Sequence, residues 1–318
     1  MRMNSHRREI GVLLTIVVLI TVLALRTNGY FSYANLIDLF LDNLPVMIIA
    51  IGMTLIILTG EIDISVGSVF AVCSVITGVC ATSGLPVSVS GLVGCLVGAL
   101  CGALNGWLVA YVRIPSIVVT LATMVALRDG LRWNTQGAWV GDLPRQFQWF
   151  GLSQKAFTAI CATSVSLLVV GAALGLRYLH AGRIVVATGS NKEAARIAGI
   201  DTRRVVFLVF TLAGFLTGIA ALFNSVRFNQ IPSNSGLGLE LKVIAAVAVG
   251  GAAITGGYAT IAGTVLGVAL LGCVGSALTF LEISAYWEKA IQGAIILIAV
   301  AIDRLHLYRR KNAELLPN

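Results

Sequence analysis

Charged residues are scarce in this chain of 318 residues: only 11% are Asp, Glu, Lys or Arg, whereas 58% are hydrophobic. Soluble domains carry charge on about a quarter of their residues, and a fold with so little charge would expose large apolar patches to water. This shortage of charge excludes soluble, disordered and fibrous proteins. The mean hydropathy of +0.93 instead predicts an all-α polytopic membrane protein.

Motifs for nucleotide hydrolysis and metal catalysis are missing as well. No lysine follows a glycine, so the chain has no G-x-x-x-x-G-K-[ST] phosphate loop. The three histidines form no H-E-x-x-H pair, and the six cysteines lie in apolar stretches without C-x-x-C spacing. We therefore predict no catalytic residues, no metal site and no disulfides. A step driven by ATP would need another protein.

Apolar runs of the length needed to cross a bilayer, about 20 residues, recur along the chain. The first follows Arg7 and Arg8 and has no cleavage site, so it is predicted to be a retained anchor helix. The stretch 33–42 is amphipathic and too short to cross, which predicts an interfacial helix. About ten spans are predicted, at residues 10–25, 44–60, 66–83, 87–112, 115–131, 156–178, 205–226, 238–253, 259–282 and 286–303.

The basic residues cluster between the apolar runs, which argues against nucleic-acid binding despite the net charge of +8. Ten spans would place both termini on one side of the membrane. Cytoplasmic loops are enriched in Lys and Arg, so that side is predicted to be cytoplasmic. It would hold 14 of the 22 Lys and Arg residues: Arg2, Arg7, Arg8, Arg113, Arg177, Arg183, Lys192, Arg196, Arg203, Arg204, Arg304, Arg309, Arg310 and Lys311.

One series among the 34 glycines is regular: Gly94, Gly98, Gly102 and Gly106 recur every four residues and share one helix face. Small residues at this spacing let membrane helices approach closely, so we predict that this face packs against another helix. The same spacing occurs in the pairs Gly171/Gly175 and Gly263/Gly267.

A weak internal repeat relates residues 59–72 to residues 255–268, where Thr-Gly is followed by Gly, Val and Val at the same spacing. Transporters are often built from repeated halves. Two turns with similar demands for glycine would give the same pattern.

Polar residues within the spans are candidates for a solute path or gate, with hydrogen bonding between helices as the alternative. They are Asn105, Thr120, Thr123 and Asn224. Near the start of the third predicted span, Asp63 and Ser65 can cap the helix, and Glu61 adds a charge beside them. Glu240 and Lys242 are expected to pair with each other or with neighbours at a span start. Acidic residues as a group are expected to collect at span ends.

The segment 189–199 reads Gly-Ser-Asn-Lys-Glu-Ala-Ala-Arg-Ile-Ala-Gly. A serine or asparagine at its start can cap a helix whose first turn holds Glu193, and Gly199 suits a left-handed C-terminal cap. A helix of about two turns is marginal in water and needs a docking partner. Ala194 and Ala195 would let it seat closely; a plain amphipathic helix on the membrane surface is the alternative.

Four segments carry motifs in a recognisable order. Residues 59–68 read Thr-Gly-Glu-Ile-Asp-Ile-Ser-Val-Gly-Ser, residues 114–124 contain Ile-Pro-Ser and Val-Val-Thr-Leu-Ala-Thr-Met, and residues 238–251 contain Gly-Leu-Glu-Leu and Gly-Gly. With the E-A-A-x-x-x-G pattern at 193–199, the chain resembles the permease subunits of bacterial sugar-type ABC importers. This is the group for ribose, xylose, arabinose, rhamnose and autoinducer 2.

The resemblance implies one transmembrane permease domain over residues 1–318, in the bacterial inner membrane, with a cytoplasmic coupling loop at 179–204. It implies a second permease subunit, a tandem ATPase that binds Mg-ATP, an external solute-binding protein, and no cofactor on this chain. The ATPase contacts would then be Glu193, Ala194, Ala195 and Gly199. An ion-coupled secondary transporter of a small polar solute is the alternative, but it needs an ionisable residue near the bilayer midplane.

Two positions depart from the family motifs. Glu61 stands where the first motif has a second glycine, and residues 128–130 read Arg-Asp-Gly where many members have Arg-Gly. The loop 139–144 is most similar to the rhamnose and autoinducer-2 members.

Overall fold

A computed structural model describes residues 2–27, 29–284 and 286–298, with side chains from residue 9 onwards. Within this part the chain is helical, and its only β-type pairing is an isolated bridge between Val140 and Ile231. The predicted all-α class is therefore confirmed. Several residues used in the sequence argument lie outside the described part: residues 299–303 of the last predicted span, Arg304, Arg309, Arg310, Lys311, and the side chains of Arg2, Arg7 and Arg8.

Eleven α-helices have defined bounds in the described residues. They are α1 (Arg2–Arg26), α2 (Tyr33–Leu58), α3 (Val66–Thr82), α4 (Val87–Trp107), α5 (Ser116–Thr135), α6 (Gln154–Tyr178), α7 (His180–Ser190), α8 (Lys192–Ile197), α9 (Thr202–Ser225), α10 (Leu239–Val249) and α11 (Ile261–Phe280). A π-helical turn, Leu108–Val112, extends α4, and residues 286–298 are also helical.

Six helices in the described residues are long and apolar enough to cross a membrane: α1, α2, α4 with its π-helical turn, α6, α9 and α11. The other predicted spans coincide with helices that do not meet this standard, so about ten spans stays a prediction. At 11 residues, α10 is about 16 Å long, roughly half the hydrocarbon core. The apolar run 238–253 continues beyond it as a turn, because Gly251 adopts a left-handed conformation (φ +91°).

The stretch 33–42 is not a separate short helix, because these residues form the first part of α2; its place at the membrane interface stays a prediction. Pro45 lies inside this helix and has no N–H, so the carbonyl of Leu41 loses its helical partner. Arg227 replaces that partner: its Nη1 donates to Leu41 O (2.8 Å) and its Nη2 to Asp42 Oδ1 (2.7 Å). Arg227 thus holds the middle of α2 through Leu41 and Asp42.

The end of the bundle that carries α8, here called the α8 end, collects several turns. Gly257 N donates to the carbonyl of Leu58, the last residue of α2 (3.0 Å), and Gly189 of α7 packs against the same carbonyl. Thr260 Oγ1 donates to Glu9 (2.7 Å), so the start of α1 lies at this end too. Which side of the membrane the α8 end faces stays a prediction.

The regular glycine face of α4 packs against α9. A Cβ added at Gly98 would overlap the carbonyl oxygen of Gly214, and one at Gly102 would overlap that of Phe210. Gly106 meets the next turn of α9, whereas Gly94 faces α3. The backbones can approach only because these side chains are absent.

The two other glycine pairs behave differently from each other. Gly263 and Gly267 place α11 against the backbone of α10. Among the described residues, an added Cβ at Gly171 has no atom within 4 Å, and one at Gly175 would meet only Leu179, the residue that follows its own helix. Equal spacing therefore marks a common face but does not show that a helix covers it.

The two Thr-Gly turns of the weak repeat meet at the α8 end. Gly60 and Gly256 both have positive φ (+80° and +90°), and an added Cβ at Gly256 would lie 2.8 Å from Gly60 Cα. Both turns need glycine for their own positive φ, and Gly256 also needs it because Gly60 lies so close. These demands explain the two shared Thr-Gly pairs, and the internal repeat itself stays a prediction.

Candidate functional site

The short helix expected in the loop 179–204 is present as α8. Its cap is Asn191, whose Oδ1 accepts hydrogen bonds from the backbone N–H groups of Glu193 and Ala194 (both 3.0 Å). Gly199 ends it in a left-handed conformation (φ +83°), and its N–H donates to Arg196 O (2.9 Å). Local capping chemistry therefore sets both ends of this helix.

The two alanines of α8 lie on different sides. Ala195 is buried against its own chain, whereas Ala194 is exposed. Ile197, three residues after Ala194 and on the same face, is 82% exposed. The sequence pattern grouped the alanines and missed Ile197. An isoleucine among charged neighbours was the available signal.

An open cavity of about 320 Å³ lies beside α8. It is bounded by the end of α4, the segment 113–115, α8 and the start of α9. Its charged lining residues are Glu61, Arg113, Lys192, Glu193, Arg196 and Arg203. The excess of positive charge would favour an acidic group from a partner.

Residues 59–65, here called the connector, join α2 to α3 and begin at this cavity. Glu61 Oε1 accepts a hydrogen bond from Lys192 Nζ of α8 (2.5 Å). Next, Ile62 N donates to Ser116 Oγ at the start of α5 (3.2 Å), and Ile62 O accepts from Thr120 Oγ1 (3.5 Å). On its way from α2 to α3, the connector thus contacts α8 through Glu61 and α5 through Ile62.

A hydrogen-bonded chain continues from the connector. Asp63 Oδ1 accepts from Ser65 N (2.8 Å) and Ser65 Oγ (2.6 Å). Asn105 Nδ2 donates to Ser65 Oγ (2.9 Å), and Thr123 Oγ1 donates to Asn105 Oδ1 (2.7 Å). Asp63, Ser65 and Asn105 are buried. This chain joins α3, α4 and α5, so the alternative offered for the polar residues, bonding between helices, describes Asn105 and Thr123.

The remaining solute-path candidates, Thr120 and Asn224, are not members of this hydrogen-bonded chain. Thr120 Oγ1 donates to Ser116 O of its own helix (2.8 Å). Asn224 is half-buried near the end of α9, close to Val226, whose carbonyl accepts from Trp149 N (2.7 Å). The structure therefore brings Asn105, Thr123 and Thr120 to one region and leaves Asn224 at the opposite end of the bundle.

A buried ion pair lies deeper than the connector. Arg128 Nη2 and Glu240 Oε2 are 3.6 Å apart, with side chains 21% and 9% exposed. Glu240 starts α10, and its Oε2 lies over Gly67, where an added Cβ would overlap it. Lys242 pairs with Glu288 (3.6 Å) and not with Glu240.

Asp63 and Glu240 stand at helix starts, as expected for acidic residues at span ends. The sequence did not show that both are buried within the protein. Apolar runs alone cannot show how deep a helix begins. Among the described residues, no cluster of His, Cys, Asp and Glu could hold a metal ion.

Comparisons with known proteins cover most of the chain, and the matching family and relatives are all permeases. A model of the family described as branched-chain amino acid transport system, permease component, matches residues 35–300. Three similar curated proteins are named autoinducer 2 import system permease protein LsrC. That of Photorhabdus laumondii is 32% identical over 98% of this chain and 94% of its own length. The Yersinia enterocolitica protein is 34% identical over 94% of this chain and 83% of its own length. The Salmonella typhi protein is 35% identical over 97% of this chain and 89% of its own length. No solved structure matches.

The family match spans most of the chain, and the relatives align nearly end to end. The resemblance to ABC importer permeases is confirmed, and several long apolar helices fit a multi-pass membrane protein. This protein belongs to the family of permease components of the branched-chain amino acid transport system.

Proposed function

We propose that this chain is the permease subunit of an ATP-driven importer of a small sugar-like solute, with autoinducer 2 as the first candidate. The observation that carries the proposal is α8, a capped helix with an exposed isoleucine, in a chain that lacks a phosphate loop. The names of the similar proteins support the solute.

The partners follow from this assignment. A cytoplasmic tandem ATPase binds Mg-ATP and contacts α8, an external binding protein delivers the solute, and a second permease subunit completes the path. The chain itself is not an enzyme and holds no cofactor. It forms one permease domain in the bacterial inner membrane, with both termini and the loop 179–204 in the cytoplasm.

The solute path runs along the open face of α5. Asp129 and Arg132 are exposed on this helix (68% and 66%), about 20 Å or more from its start at the cavity. Charged side chains at this depth face water or protein and not lipid, so this face lines the path or meets the second subunit. Asn105 and Thr123 hold α3 and α5 beside it, and Asn224 lies toward the opposite end.

One observation favours the ion-coupled alternative: Asp63 and Glu240 are buried in the bundle. Both carboxylates already have partners, however: Ser65 bonds to Asp63, and Arg128 pairs with Glu240. A carboxylate that carries a coupling ion must exchange it during transport, which these partners oppose.

Proteoliposomes that contain the chain with its ATPase and binding protein are expected to take up autoinducer 2 only when Mg-ATP is supplied. Collapsing the proton gradient should leave uptake unchanged, and the purified chain alone should hydrolyse no ATP. Uptake that follows the proton gradient without ATP would establish the ion-coupled alternative.

Exchanging Ile197 for Glu is expected to weaken co-purification of the ATPase and uptake about tenfold, because a charge buried without a partner disfavours an interface. A cysteine at Ala194 should cross-link to the ATPase. Leu152→Glu, an equally drastic change at an exposed site remote from α8, serves as the control. Normal ATPase binding by Ile197→Glu would show that α8 is an ordinary surface helix.

A further inference from the structure

We propose that the Glu61–Lys192 ion pair ties α8 to the connector and so passes the displacement of α8 into the bundle interior. The pair acts by positioning and does not touch the solute. This inference rests on the proposed function, since it requires that an ATPase moves α8. It assigns a role to Glu61, the residue that departs from the T-G-G motif.

The two partners differ in their surroundings. The Glu61 side chain is only 12% exposed, whereas that of Lys192 is 49% exposed. Within the described part of the chain, Lys192 is the only cation in ion-pair distance of Glu61. Exposed ion pairs contribute little, but a carboxylate removed from water depends on its partner. Glu61 is therefore held against α8 more firmly than a surface pair would be.

The backbone around Glu61 is fixed on its other sides. Gly60 packs on Gly256, and Ile62 N is held by Ser116 Oγ. Three residues further, Ser65 bonds to Asn105 of α4. A shift of Lys192 would therefore reach the start of α3 through a short segment with little freedom.

The contacts continue from α3 to the deeper ion pair. Ser68 Oγ donates to Met124 O of α5 (2.9 Å), and Gly67 lies directly against Glu240, the partner of Arg128. The start of α3 thus touches α5 and α10, the helices that carry the charged face and the buried carboxylate. Movement of the connector would change the space between them.

The unequal burial predicts unequal effects of the single substitutions. Without Glu61, Lys192 can turn toward water. Without Lys192, the less exposed Glu61 carboxylate loses its ion-pair partner, and the connector must shift to bring it closer to the water or the arginines of the open cavity. We expect Lys192→Gln to lower the number of solute molecules imported per ATP about fivefold and Glu61→Gln about twofold.

The test uses the complete importer in proteoliposomes, with autoinducer 2 uptake and ATP hydrolysis measured together. Co-purification of the ATPase should be unchanged in both variants, and the exchange Glu61→Lys with Lys192→Glu should restore at least about half of the wild-type ratio. The matched control is Asp42→Asn, which neutralises an ion pair of 2.7 Å at the opposite end of α2 and should leave the ratio unchanged.

If the variant with the exchanged charges does not assemble, a chemical cross-link can replace the ion pair. In the double variant Glu61→Cys and Lys192→Cys, the number of solute molecules imported per ATP should be low while both thiols are free. It should rise after a short bifunctional thiol reagent joins the two cysteines. The proposal is overturned by wild-type ratios in both single variants, or by cross-linking that arrests uptake. If the wild-type complex itself shows no ATP-dependent uptake, the proposed function is refuted instead.

Discussion

Replacing Gly102 with leucine is expected to leave little folded protein in the membrane. A Cβ at this position would overlap the carbonyl oxygen of Phe210 and lie 3.1 Å from Gly214 Cα. Both obstacles are backbone atoms of α9, so no side-chain rotation can relieve them. Overpacking in a core costs about 1–3 kcal/mol when side chains can adjust, and we expect the upper end of this range or more here.

The measurement is the yield of monodisperse protein in detergent and the midpoint of its thermal unfolding. Gly171→Leu is the matched control: it lies on a helix with the same glycine spacing, but no atom in the described part of the chain lies within 4 Å of an added Cβ. It should accumulate and unfold like the wild type. Equal stability of Gly102→Leu and the wild type would mean that α4 and α9 do not meet through this face.

These glycines also show how far the sequence predicts the fold. The four-residue spacing places Gly94, Gly98 and Gly102 on one face, and the structure covers that face with α9 and α3. Gly171 and Gly175 have the same spacing, but among the described residues an added Cβ would meet nothing at Gly171 and only Leu179 at Gly175. Periodicity along one helix reports which residues share a face, whereas the partner depends on contacts between distant segments.

Features set by neighbouring residues were predictable. The bounds of α8 follow from an asparagine cap and a glycine stop, which depend on chemistry within a few residues. Ala195 and Ala194 could not be separated in the same way. The side of a helix that meets its own chain depends on how α7 and α9 place it.

The depth at which helices begin was not predictable. The run 238–253 has the composition of a full span, yet α10 occupies only Leu239–Val249. Glu240 therefore looked like a residue of the membrane surface, and its partner Arg128 lies on a helix distant in sequence. Hydropathy measures how apolar a segment is and carries no information about the level at which it enters the bundle.

Arg128→Met is expected to lower the free energy of unfolding by about 3–5 kcal/mol, the usual cost of breaking a buried ion pair from one side. It leaves the Glu240 carboxylate, only 9% exposed and packed on one side against Gly67, without its ion-pair partner. The measurement is the thermal unfolding midpoint in detergent together with the amount of protein in the membrane.

Two further variants separate the loss of charge pairing from the loss of packing. Adding Glu240→Gln to Arg128→Met removes the stranded charge and keeps the side-chain shape, so most of the stability should return. Arg132→Met, on the same helix, breaks an exposed pair with Asp129 at 4.0 Å and should cost less than about 1 kcal/mol. A double variant as unstable as Arg128→Met would show that the arginine acts by filling space. In that case, packing by the Arg128 side chain, and not its charge, would stabilise the start of α10 against α3 and α5.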